Sequence, residues 1–332
     1  SRLGHCSADV LLNLKNQLLI DFVNADESSF VCSSCQLAKS TRLPFSNSPT
    51  SCINPFDKVH CDLWGPAPIV SIDNFRYYVI FVDDCTRFTW FYPLRNKSDF
   101  YSVFLAFDMY VQRQFSTHIK CLQSDGGGEF ISAKMQSYCS SNGIIHQVSC
   151  PHTPQQNGRA ERRHRTIVEV GLSLMFHSDV PSSFWTQSFS TAVYLMNRRP
   201  SSVLKENISP YFALFKQQPN YSLFKVFGCS CYPSLRSQNA HKFLPRSLPC
   251  VFLGYRSHYK GYLCYHIPSK KFFTSRDVLF DEQIFPYKSV SPQKVACRVP
   301  PTSDISTYMD LIPFTITQSD PIPPCTVIPS SS

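Results

Sequence analysis

Three acidic side chains stand where their spacing and flanking residues suit metal-assisted chemistry. Asp62 lies at the end of a short strand-like segment at 58–63, just before Leu63-Trp64-Gly65-Pro66. Asp125 closes another run, at 119–124, in Ser124-Asp125-Gly126-Gly127-Gly128-Glu129. Glu161 lies one to two turns into a helical stretch, with 35 residues (126–160) between it and Asp125. In an α/β sheet, residues at the ends of neighbouring strands converge on one edge, where ligands bind. Clustered carboxylates repel one another and call for cations. Mg²⁺ or Mn²⁺ prefers a few carboxylate oxygens plus water and phosphate. Two such ions stabilise both the attacking and the leaving oxygen of a phosphodiester displacement. The Gly126–Gly128 run lacks the Gly-Lys-Ser/Thr ending of a phosphate-binding loop.

The elements needed to position these acids are legible in the pattern. Strands are expected at 58–63, 75–82, 88–93, 119–124 and 144–149, with 75–82 and 88–93 forming a hairpin through the turn at Asp83–Arg87. Helices are expected at 97–115, 130–141, 155–176 and 181–197. Antiparallel strands followed by βαβ units imply an α/β fold with a mixed five-stranded sheet and helices packed on it. On the third helix Ala160, His164, Ile167, Val168, Gly171, Leu174 and Met175 trace one apolar stripe. Glu161 lies about 100° from Ala160 at its border, able to reach the sheet edge without entering the core. Short strands at 224–232, 250–255, 262–266, 271–274 and 276–280 read as a small β-barrel.

Other groups suit a polyanion. Arg159, Arg162, Arg163 and Arg165 surround Glu161, and Gln155, Gln156 and Asn157 precede it in a loop that could meet a DNA strand. Asp83 and Asp84 read as hairpin-turn residues. The chain has 32 Lys+Arg against 23 Asp+Glu, a net charge of +9. Residues 216–288 carry eleven basic and three acidic groups, so nearly all the excess lies there, while 56–215 is almost balanced. Arg236, Lys242, Arg246, Arg256, Lys260, Lys270, Lys271 and Arg276 alternate with Tyr and Phe, a pattern for sequence-independent backbone binding. That segment is expected to be the main DNA grip. A basic, merely solvated barrel face is the plainer alternative.

Near the start, His5, Cys32 and Cys35 supply three of the four ligands of a tetrahedral Zn²⁺ site. Many of the 15 cysteines, among them Cys61, Cys121, Cys231, Cys250 and Cys264, lie in apolar strand-like runs, and most are expected to be reduced core residues. No secretory signal is expected. The longest apolar runs fall short of the ~18–20 residues a membrane span needs. The composition, 43% hydrophobic and 14% aromatic, excludes a disordered chain. The Ser start suggests a piece of something longer.

Asp62, Asp125 and Glu161 resemble the Asp-Asp-x35-Glu triad of retroviral-type integrases. The flanking text resembles the integrase of copia-type LTR retrotransposon polyproteins: Arg2-Leu3-Gly4-His5, Cys32-Ser33-Ser34-Cys35, Asp62-Leu63-Trp64-Gly65-Pro66 and Ser124-Asp125-Gly126-Gly127-Gly128-Glu129. It continues with Pro151-His152-Thr153-Pro154-Gln155-Gln156-Asn157-Gly158, Val251-Phe252-Leu253-Gly254-Tyr255 and Ser275-Arg276-Asp277-Val278. The resemblance implies an RNase H-like core in which the first Asp bridges two ions while the second Asp and the Glu each hold one. It also implies a second zinc-site His five positions before His5, which would fall immediately before Ser1.

The expected organisation is therefore a zinc-binding helical domain at 1–46, truncated at its start, and a linker at 47–55. An RNase H-like catalytic core at 56–215 and a basic barrel resembling Src-homology-3 domains at 216–288 follow, then a disordered tail at 289–332. The expected function is 3′-end processing and strand transfer of element DNA into target DNA, in the nucleus, by a homo-oligomer on double-stranded DNA with no membrane partner. Two alternatives stay open: a catalytically silent DNA-binding remnant of a decayed retroelement, and a nuclease with the same core.

Overall fold

The computed structural model describes residues 52–150, 157–235, 245–256 and 261–289, with isolated residues elsewhere. The chain divides into two compact units, 1–50 and 51–332. The zinc candidates His5, Cys32 and Cys35, the loop residues Gln155 and Gln156, and Lys260 lie outside the described residues, as does the expected tail beyond 289.

The second unit opens with β1 (Val59–Trp64), β2 (Tyr77–Asp83) and β3 (Thr89–Leu94). Then come α1 (Phe100–Phe115), β4 (Cys121–Ser124), α2 (Ala133–Ser141), β5 (Ile145–Val148), α3 (Gly158–Ser178) and α4 (Trp185–Arg198). The sheet order is β3-β2-β1-β4-β5. β1, β2 and β3 pair antiparallel, whereas β4 pairs parallel with both β1 and β5. This is the expected mixed five-stranded sheet.

Alternation along β1 divides the chemistry of its two faces. Val59, Cys61 and Leu63 join a core with Phe104, Phe107 and Val111 of α1, where the Phe81 and Phe107 rings stack at 4.2 Å. His60, Asp62 and Trp64 leave the other face, toward α3 and α4. There Ala160, His164, Ile167, Gly171 and Met175 of α3 are buried, while Val168 and Leu174 are partly buried against the same core. Gly171 lets α4 approach α3: an added Cβ would overlap the Phe189 ring.

A short helix, α5 (Pro210–Phe215), leads to a second sheet of β6 (Ser230–Pro233), β7 (Cys250–Tyr255), β8 (Tyr262–His266), β9 (Lys271–Ser275) and β10 (Val278–Asp281). Its order is β10-β6-β7-β8-β9, with every pairing antiparallel. The strand expected from 224 begins only at Ser230. Gly228, at φ +80°, turns the chain and donates its N–H to Phe252 O at 2.8 Å. A last short helix, α6 (Pro286–Ser289), closes the described part.

The second sheet shares its core with the first. Val251, Leu253 and Tyr265 pack in one cluster with Ile80 and Val82 of β2 and Phe189 and Val193 of α4. Gly254, at φ +119°, brings β7 against Thr191 of α4 where no side chain would fit. Cys229, Cys231, Cys250 and Cys264 are buried free thiols, acting as small apolar groups. Among the described residues no helix is long and apolar enough to cross a membrane.

Candidate active site

β1 and β4 run parallel with Val59 opposite Leu122 and His60 opposite Gln123. Carried two residues past the paired ones, the same register directs Asp62 and Asp125 to the same end of the two strands. The electrostatics agree. Asp125's carboxyl is raised above its ordinary range first by burial, then by the neighbouring Asp62 and Glu129 carboxylates; the Gly127 N–H and Lys97 oppose the rise. Asp125 Oδ1 accepts from Gly127 N at 3.0 Å. A Cβ on Gly127 would come within 3.1 Å of Asp125 Oδ1 and of the Glu129 carboxyl, so the glycine keeps this acidic turn tight. Lys97 stands 3.7 Å from Glu129.

Asp62 is half-buried. His164 Nε2 lies 3.3 Å from Asp62 Oδ2, close but short of a well-formed hydrogen bond. His164 Nδ1 lies 3.0 Å from the Tyr78 hydroxyl. Burial, reinforced by Asp62, raises the Tyr78 hydroxyl above its ordinary range and keeps it protonated.

Among the described residues, neither Asp62 nor Asp125 meets a lysine or arginine at ion-pair distance. Two carboxylates at the same end of adjacent strands, one with its proton affinity raised by the other, fit a hard divalent cation. Glu161 is exposed on the first turn of α3. The described residues hold no group of three or more His, Cys, Asp or Glu side chains able to share a metal ion. The structure thus brings Asp62 and Asp125 together and leaves Glu161 on the adjoining helix, outside a three-acid group.

The residues expected to face DNA divide. Arg162 and Arg165 are exposed on α3. Arg159 is ion-paired to Asp84. Arg163 donates to Arg87 O at 3.1 Å, and burial, with Arg87 and Arg199 nearby, lowers it to about 10. Asn157 is 5% exposed and donates from Nδ2 to Cys61 O at 3.3 Å, which ties the start of α3 to β1 instead of leaving the amide free. Arg246, Lys270 and Lys271 are exposed. Arg256 is partly buried in a cavity of about 100 Å³ between α4 and the second sheet, near Asp73, with its Nε buried and unbonded.

Two residues read from sequence as turn formers are buried. Asp83 is fully buried; its Oδ2 accepts from Thr86 N and Oγ1 at 2.8 and 2.6 Å, and its Oδ1 from Phe56 N at 2.7 Å. Asp84 is 3% exposed and gathers His60, Arg87 and Arg159. The only signal in the sequence was His60 two positions before Asp62, hence on the same strand face.

Residues 54–154 match the family described as Integrase core domain, and residues 229–294 match Retroviral polymerase SH3-like domain. The mixed sheet and its helices are consistent with an RNase H-like core. The chain is 43% identical over 98% of its length to "Retrovirus-related Pol polyprotein from transposon RE2" of Arabidopsis thaliana, of which it spans 22%. It is 43% identical over 87% of its length to the RE1 polyprotein of the same plant, spanning 19% of it. It is 38% identical over 85% of its length to the TNT 1-94 transposon polyprotein of Nicotiana tabacum, spanning 21%. The chain therefore covers about a fifth of the relatives it matches, and it belongs to the integrase region of the copia-type retrotransposon Pol polyprotein family.

Proposed function

We propose that this chain is a metal-dependent polynucleotidyl transferase that trims the 3′ ends of element DNA and joins them to target DNA. The observation that supports the reading is the parallel pairing of β1 and β4, which directs Asp62 and Asp125 to the same end of adjacent strands, near enough for Asp62 to raise the Asp125 carboxyl. Asp62 and Asp125 would hold Mg²⁺ or Mn²⁺, with Glu161 as the third carboxylate. The bound ions supply Lewis acidity and lower the proton affinity of the attacking oxygen. The Leu63 N–H donates to Asp62 Oδ1 at 3.0 Å, and His164, itself bonded to Tyr78, stands beside the same carboxylate. The exposed Arg162 and Arg165 would position phosphates, and Arg246, Lys260, Lys270 and Lys271 would bind the duplex backbone. A zinc ion at His5, Cys32 and Cys35, a homo-oligomer on DNA and action in the nucleus complete the reading.

A second reading, a silent DNA-binding remnant, draws on one observation: Glu161 does not form a three-acid group with Asp62 and Asp125 among the described residues. Joining of pre-cut DNA ends to a target, measured with and without Mg²⁺ or Mn²⁺, separates the two. Metal-dependent joining supports the transferase; DNA binding without joining supports the remnant.

A further inference from the structure

We infer that Asp84 is a positioning residue for this acid site, one buried carboxylate that fixes both the strand bearing Asp62 and the helix bearing Glu161. The inference rests on reading that site as the reaction centre.

Asp84 Oδ1 lies 2.9 Å from His60 Nε2 and 3.2 Å from Arg87 Nη1, and it is ion-paired to Arg159 Nη1. His60 stands two residues before Asp62 on β1, so both side chains leave the same face of the strand. Arg159 stands two residues before Glu161 on the first turn of α3. One oxygen therefore joins the positions that flank both acids. The main chain adds a third tie, Asp84 N donating to Lys58 O at 2.9 Å just ahead of β1.

A turn role does not account for these contacts. Asp83, not Asp84, accepts the bonds that close the hairpin, from Thr86 N, Thr86 Oγ1 and Arg87 N. Apart from Arg87, the Asp84 side chain serves partners far away in the chain. A buried carboxylate is stable only when its charge is matched, and losing it leaves its basic partners uncompensated. The start of α3 has one other described polar tie to β1, the Asn157 amide on Cys61 O. Without Asp84, the first turn of α3 would keep the Asn157 tie and the buried Ala160 but lose the ion pair beside Glu161, so Glu161 would be held less firmly.

The test uses Asp84→Asn, Arg159→Gln and the double variant. Mn²⁺ affinity is read from the EPR signal of free Mn²⁺ without DNA, alongside the Mg²⁺ dependence of end joining. Asp84→Asn should weaken Mn²⁺ binding about tenfold, at the low end of what outer partners of metal ligands contribute. It should move the half-saturating Mg²⁺ concentration alike while leaving metal-free DNA affinity unchanged. A merely structural role would lower the active fraction without moving either metal constant. Arg159→Gln, at a partly exposed side chain, should reproduce the shift, and the double variant should be no worse than the stronger single one. Unchanged Mn²⁺ affinity in Asp84→Asn, or additive effects, would overturn the inference; if Asp84→Asn does not fold, unchanged affinity in Arg159→Gln does so. If the wild-type protein joins no ends, the reading of the site fails and this inference with it. If it joins ends and Glu161→Gln stops it while these variants keep full Mn²⁺ affinity, this inference alone fails.

Discussion

His60 Nε2 lies 2.9 Å from Asp84 Oδ1, and both side chains are almost sealed from solvent. Burial, with Arg159, Lys58 and Arg87 nearby, lowers His60 from 6.5 to about 3, so the ring is neutral and donates from Nε2. In the unfolded chain the ring takes a proton near its ordinary value. Between about 6.5 and about 3 the unfolded state binds more protons, so stability is intact above this window and is lost as pH falls through it. Relative to wild type, His60→Gln should flatten the pH dependence of the urea midpoint there, by up to about 1.4 kcal/mol per pH unit. Parallel curves for the two proteins would show that His60 does not set this loss.

Gly171 gives a packing prediction. Its missing side chain admits the Phe189 ring, and Ser188 Oγ donates to Gly171 O at 2.6 Å in the same crossing. Gly171→Ala should destabilise the protein by about 1–3 kcal/mol through overpacking, read as a lower urea midpoint. An unchanged midpoint would mean that α3 and α4 separate without strain.

The basic excess of residues 216–288 gives a prediction about salt. Deleting that segment is a poor test, because Val251, Leu253 and Tyr265 belong to the core shared with β2 and α4. Replacing the exposed Arg246, Lys270 and Lys271 with alanine leaves that core intact. If each meets one phosphate, the slope of log K against log salt should fall by about 2.7, roughly 0.9 per contact. Arg256→Ala, beside Asp73 in the cavity, should lower stability and leave the slope nearly unchanged. An unchanged slope in the triple variant would move the DNA grip to Arg162 and Arg165.

Much of this was legible from periodicity. The strands of the mixed sheet, the α3 stripe from Ala160 to Met175 and the β7 and β8 strands follow from short apolar and aromatic runs bounded by turns and from helical spacing, which are local. Long-range partners were not legible. Asp83-Asp84 has the composition of a turn, and nothing near it in the sequence reveals that His60 and Arg159 converge on Asp84. Asn157 reads as a polar loop residue until the fold sets it over the Cys61 carbonyl. Arg256 belongs to a basic series by spacing, but the register of β7 against α4 turns it into a cavity. The strand expected from 224 ran too long because an apolar run does not show where Gly228 turns the chain.

Strand transfer by Glu161→Gln, with pre-cut DNA ends and Mg²⁺ or Mn²⁺, tests the central claim most directly. Glu161 is exposed, so the substitution leaves the core untouched. The expected result is loss of joining with DNA affinity nearly intact. Joining by Glu161→Gln at the wild-type rate would contradict the assignment of Asp62, Asp125 and Glu161 as the reaction centre.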